Sequence, residues 1–84
     1  MITQPRTPPQ GVHKICTWHH VPKQVVLHWL VTCMLDGCTL THSNMSAVDD
    51  QGYFRWRMSL HPRDMRVLLE RESDVQLFEL TWCA

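Results

Sequence analysis

From Val25 to Leu35 the chain reads V-V-L-H-W-L-V-T-C-M-L. Wound as a helix, it is apolar around most of its circumference. Gln24, His28, Thr32 and Asp36 form one narrow polar stripe, and every other side requires cover. Pro22 suits the first helical position, where its missing N–H has no partner to lose. Gly37 suits the left-handed residue that ends a helix near Asp36. In a chain of 84 residues cover is scarce, so the pattern predicts burial at a subunit interface or against a partner.

Tyr53 to Leu60 alternates strictly: Phe54, Trp56, Met58 and Leu60 against Tyr53, Arg55, Arg57 and Ser59. That period predicts a strand with one core face and one solvated or ligand-facing side. Pro62 opens a second helix from Arg63 to about Ser73, with Met65, Leu68 and Leu69 as its apolar stripe and Asp64 in its first turn. Val75 to Trp82, with Phe78, Leu80 and Trp82 on one side, reads as a final strand. Cys38 to Val48 is strand-compatible but interrupted at Ser43-Asn44, and Asp49-Asp50-Gln51-Gly52 is a turn signal. Val12 to His20 reads as a short strand or a loop that packs Ile15 and Trp18.

Residues 1–12 hold Pro5, Pro8, Pro9 and Gly11 and read as a flexible N-terminal arm ahead of a single domain over 13–84. The order α-β-β-α-β predicts a small two-layer α+β domain, its three or four strands forming an antiparallel or mixed sheet with two helices on it. A crossover through the second helix would be right-handed if its strands were parallel.

Composition narrows the classes. Folding at this size removes only about 60–65% of the unfolded chain's surface from water, so a metal, a disulfide or a second subunit would help. An apolar share of 44% with 19% charged residues describes a globular chain. A formal net charge of zero argues against strong non-specific attraction to nucleic acid or membrane. Of the four cysteines none follows an apolar leader, since the start M-I-T-Q-P-R-T-P-P-Q has no such run. The segment 25–35 also falls well short of the ~20 residues that span a bilayer. The expectation is a cytoplasmic, intracellular protein in a reducing compartment, off the membrane, its thiols free or metal-bound.

Cys16, His20, Cys33, Cys38 and His42 have ligand types and spacings compatible with a structural zinc, with His13 and His19 as alternates. Against this stand the lack of a C-x-x-C knuckle and the position of Cys33 on an apolar helix face, where a thiol acts as a small core residue. Otherwise no cofactor is expected. With three glycines, no phosphate loop, no nucleophile elbow and no H-E-x-x-H, the chain shows no catalytic constellation and is read as a non-enzyme.

Tyr53, Arg55 and Arg57 share a strand face on strict alternation, and Arg63 and Arg66 extend the patch. Such a face stacks bases and contacts phosphates in sheet-type RNA binders, although Y-F-R-W-R-M lacks their glycine-containing motif. Four tryptophans and five methionines favour a protein interface instead. Trp18 and Trp82, near the chain ends, are the candidate partner contacts, while Trp29 and Trp56 fill the core. The leading expectation is a small regulatory or inhibitory protein that occludes a protein surface and pairs as a homodimer through the first helix or an exposed strand edge. Its size is common among small regulators made by bacteria, phages and viruses. The alternative is a nucleic-acid-binding regulator stabilised by zinc.

Overall fold

Short polar turns shape the middle of the chain into an antiparallel meander. At His42, Ser43 and Asn44 the backbone runs left-handed, with φ of 52°, 58° and 65°, and Met45 N–H returns to the carbonyls of Thr41 and His42. At the next reversal Asp49 Oδ1 accepts from the amides of Gln51 and Tyr53, both at 2.9 Å. Gly52 there holds φ at 85°, a conformation that favours glycine. The computed structural model describes residues 4–83. Its elements are β1 (Lys14–Thr17), α1 (Lys23–Cys33), β2 (Cys38–Thr41), β3 (Ser46–Asp49), β4 (Phe54–Met58), β5 (Arg66–Leu69) and α2 (Glu72–Trp82).

The strands form one five-stranded sheet in the order β1-β5-β4-β3-β2, with every neighbouring pair antiparallel. The α+β class and the two helices agree with the sequence reading; the strand count and the order do not. There are five strands instead of three or four, and the order is β-α-β-β-β-β-α. The crossover expected through a second helix is absent, because the 59–65 connection joins β4 to an antiparallel β5. The helical crossover is instead β1–α1–β2, which links the two edge strands, and these run in the same direction.

Two segments adopt the opposite structure to the one their spacing predicts: 66–69 is a strand and 72–82 a helix. Arg66–Leu69 alternates, with Val67 and Leu69 buried and Arg66 exposed, so the Met65/Leu68/Leu69 spacing is coincidental to a strand. Helix α2 buries Val75 and Phe78 and half-buries Trp82, a spacing of three and then four residues that suits one helix face. Leu80, counted on the apolar side of a strand, is 73% exposed. Glu72 and Asp74 occupy the first turn of α2, where carboxylates favour the helix dipole.

The core lies between the sheet and the two helices. Val26, Leu30 and Met34 from α1 and its C-cap meet Val75 and Phe78 of α2 over Cys16, Ala47, Trp56, Met58, Val67 and Leu69. Trp29 joins the helices, its ring edge-on to Phe78 at 5.9 Å and to Trp82 at 5.7 Å. Trp56 is fully buried and donates its Nε1–H to the Met34 carbonyl at 2.8 Å, which also satisfies one terminal carbonyl of α1. Helix α1 therefore finds its deepest cover inside its own chain. Leu27, Trp29 and Val31 are half-buried on its flanks, and Val25 remains 48% exposed.

Residues 1–3 of the expected arm lie outside the described residues. The rest runs along one end of the sheet: Arg6 exchanges backbone hydrogen bonds with Gly52 and Phe54, and Val12 N–H reaches Glu70 O. Gly11 sits so close to Glu70 that a Cβ there would lie 2.5 Å from the carboxylate. His13 Nδ1–H donates to the other oxygen of this buried carboxylate at 2.9 Å.

Candidate protein-binding groove

Strand pairing fixes which side chains share a face. Lys14, Leu69, Trp56, Ala47 and Leu40 stand opposite one another across all five strands on the helix side. The adjacent row is Ile15, Leu68, Arg57, Ser46 and Thr41, and it lies on the face that carries neither helix. Strict alternation would add Arg55 to that open face. A β-bulge prevents it: Ala47 pairs with Trp56 and Val48 with Phe54, leaving Arg55 as the extra residue. A bulge turns the strand locally and re-aims a side chain. Arg55 is turned towards the helices, where Nε and Nη2 donate to Asp74 at 2.9 and 3.2 Å and Nη1 approaches the Asp36 carbonyl. These bonds hold the Arg55 guanidinium above its ordinary pKa. Phe54 moves the other way. It is buried outside the main core, with the Arg57 guanidinium 4.3 Å over its ring and His42 beside it.

The connection 59–65 rises beside this face as a wall. Lys23 of α1 donates its ammonium to the Ser59 carbonyl and, at 2.6 Å, to that of His61. Burial of the Lys23 ammonium lowers its pKa. Ser59 Oγ–H donates to Asp64 at 2.8 Å, and Arg66 grips both Asp64 oxygens at 2.6 and 2.7 Å. The Arg66 hydrogen bonds, seconded by Ser59, pull the Asp64 carboxyl down to about 2 from an ordinary 3.8. So restrained a loop nevertheless holds Leu60 out at 64% exposure.

Between wall and sheet lies an open groove of about 420 Å³, lined chiefly by Ile15, Leu68, Leu60, Arg57, Arg66 and Asp64. A second hollow of about 320 Å³ adjoins the far side of Leu60, against Leu27, Met45 and Pro62. Leu60 is the ridge they share. The chain matches no family model, no curated protein and no solved structure.

The residues singled out in the sequence are distributed unevenly over this site. Arg57 and Arg66 line the groove, and Arg63 is exposed on its wall. Tyr53 stands apart, half-buried beneath the Arg6 guanidinium at 5.1 Å. Arg55 is withdrawn into its pair with Asp74, so Tyr53, Arg55 and Arg57 are not one patch. Trp18 is a core residue at 2% exposure, bonded through Nε1–H to Val21 O and packed on Phe78, and offers nothing to a partner. Trp82 is half-buried against Trp29.

The zinc candidates do not converge. Cys16 lies on β1 and Cys38 on β2, the opposite edges of the sheet, about 19 Å apart at the usual strand spacing. Cys33 is exposed at the end of α1, His20 precedes that helix, and His42 lies in the β2–β3 turn. Among the described residues no group of three or more His, Cys, Asp or Glu side chains is arranged to hold a metal ion. The thiol of Cys16 is pushed up in pKa, first by burial and then by Glu79. Cys83 shares a small hollow with it and bonds the Thr17 carbonyl. Among the described residues no helix is long and apolar enough to cross a membrane.

Ile15, Leu60 and Leu68 escape notice as surface residues because local spacing assigns each to a packed side: Ile15 to a strand or loop, Leu60 to the apolar side of an alternating strand, and Leu68 to a helix stripe. The signal available was S-L-H-P-R-D, whose Ser, Pro and Asp mark a loop and so place Leu60 outside the strand.

Proposed function

We propose that this protein is a small non-enzymatic regulator, acting inside the cell, that binds another protein through the open face of its sheet and the Leu60 loop. The observation that carries the reading is the combination of exposure and restraint at Leu60. An apolar side chain left largely in water on a loop fixed by Lys23, Asp64 and Arg66 costs little ordering when a partner closes on it. Ile15 and Leu68 supply an apolar floor, and Arg57 a cation with no carboxylate partner among the described residues. Apolar anchors rimmed by arginine are the composition of protein interfaces. The nucleic-acid alternative loses support with Arg55, whose guanidinium is engaged by Asp74.

A pull-down from the source cell with wild type and Leu60→Asp, each with and without nuclease treatment, tests this. The expected result is a protein retained by wild type and lost from the variant. Identical recoveries from both baits would reject the groove as the binding surface. Bound material that disappears on nuclease treatment would turn the reading towards nucleic acid.

A further inference from the structure

The open sheet face and the outer face of α2 are complementary in shape of chemistry. Helix α2 buries Asp74, Val75 and Phe78 and turns Leu77 and Leu80 outward, at 43% and 73% exposure. It contains Glu72 and Glu79, both exposed, and no basic residue; Glu79 meets Lys14 of β1 at 3.4 Å, while Glu72 has no basic partner among the described residues. The groove presents the opposite: an apolar floor and ridge from Ile15, Leu68 and Leu60, with Arg57 free of any acidic partner among the described residues. An uncovered apolar patch on a sheet is stabilised when a helix covers it, as α1 and α2 already cover the other face.

We infer that the groove is occupied by α2 of a second copy of this chain, with Leu77 and Leu80 seated against Ile15, Leu60 and Leu68 and the carboxylate of Glu72 on Arg57. This deepens the reading of the groove as a binding surface and rests on it. The two patches lie on opposite layers of the fold, so the contact is head-to-tail. Such an interface does not close on itself as a twofold pair; it continues into a ring or an open string of copies. It also differs from pairing through α1, whose most apolar positions are already buried.

Sedimentation of the whole chain over a range of concentrations is the test, with Arg57→Glu and Leu80→Asp as variants. Both residues are exposed, so the fold tolerates the changes. Wild type should gain mass with concentration, and less so as salt is raised. Each variant alone should weaken association by about tenfold or more, the scale of losing one interface anchor. Mixed together, the two variants should recover a one-to-one complex, because one keeps an intact α2 face and the other an intact groove. A wild type that stays monomeric at all concentrations overturns the inference. So does an association that survives in both variants, or one that mixing fails to restore. A monomer that still loses its cellular partner on Leu60→Asp would leave the protein-binding reading standing, which separates the two failures.

Discussion

Arg55 and Arg57 stand two residues apart on β4 and have opposite fates. Arg55 is held between sheet and helices by a two-pronged bond to Asp74, and their side chains are 11% and 6% exposed. Arg57 lies on the bare face, over the Phe54 ring, with its charge unanswered among the described residues. One residue inserted into the pairing of β3 with β4 makes the difference. The comparison teaches that a charge acquires its role from the face it is turned to. The same side chain is a structural brace on one side of the sheet and an available contact on the other.

The largest effect should come from breaking the buried brace. Asp74→Ala leaves the Arg55 guanidinium enclosed without its counter-charge, which costs about 3–5 kcal/mol when a buried pair loses one member. Urea denaturation should show this as a loss of most of the stability of so small a domain. Replacing both partners with apolar residues, Arg55→Met with Asp74→Leu, should recover most of it, since the uncompensated charge is gone. A single Asp74→Ala variant as stable as wild type would show that the brace carries no weight.

Much of one half of the molecule was legible in the sequence and much of the other was not. Helix α1 announced itself through Pro22 and a long apolar run, and β4 through the alternation of Phe54, Trp56 and Met58. Both signals are local. The bulge is not, because it depends on how β3 registers against β4, and it broke the inferred unity of Tyr53, Arg55 and Arg57. The C-terminal third misled for another reason. Val75, Phe78 and Trp82 fit a helix, while Phe78, Leu80 and Trp82 fit a strand, and eight residues of bulky side chains satisfy both periods. Only tertiary cover decides between them: the helix buries Phe78 and leaves Leu80 in water. The groove was hidden in turn, since it is assembled from β1, β4, β5 and the 59–65 connection, which meet only through the sheet order.

Against the brace, removal of the free arginine should be mild. Arg57→Ala forfeits a stacked cation at an exposed site, worth about 0.5–1 kcal/mol, and uncovers part of the Phe54 ring. Denaturation measured beside Asp74→Ala gives the contrast directly. If Arg57→Ala cost as much as Asp74→Ala, the open face would be part of the structural core and no longer a surface available to a partner.

The subtlest difference concerns acid. Asp64, which fixes the wall of the groove, titrates at about 2 in the folded chain against an ordinary 3.8, mainly through its hydrogen bonds from Arg66 and then Ser59. A carboxyl whose folded pKa is depressed favours the ordered loop fully above its unfolded value and loses that favour as pH falls through its folded value. The loop should therefore stay ordered at pH 4 and above, and loosen progressively between about pH 4 and about pH 2, while the brace of Arg55 and Asp74 sits apart on the other face. Amide exchange at His61 and Asp64, whose N–H groups belong to this loop, reports the loosening without unfolding the domain. Arg66→Gln removes the main cause of the shift, so its loosening should begin at a higher pH, close to the ordinary carboxyl range. Equal acid sensitivity in Arg66→Gln and wild type would mean that the Leu60 ridge is held by Lys23 alone, and that its restraint has no acid-labile part.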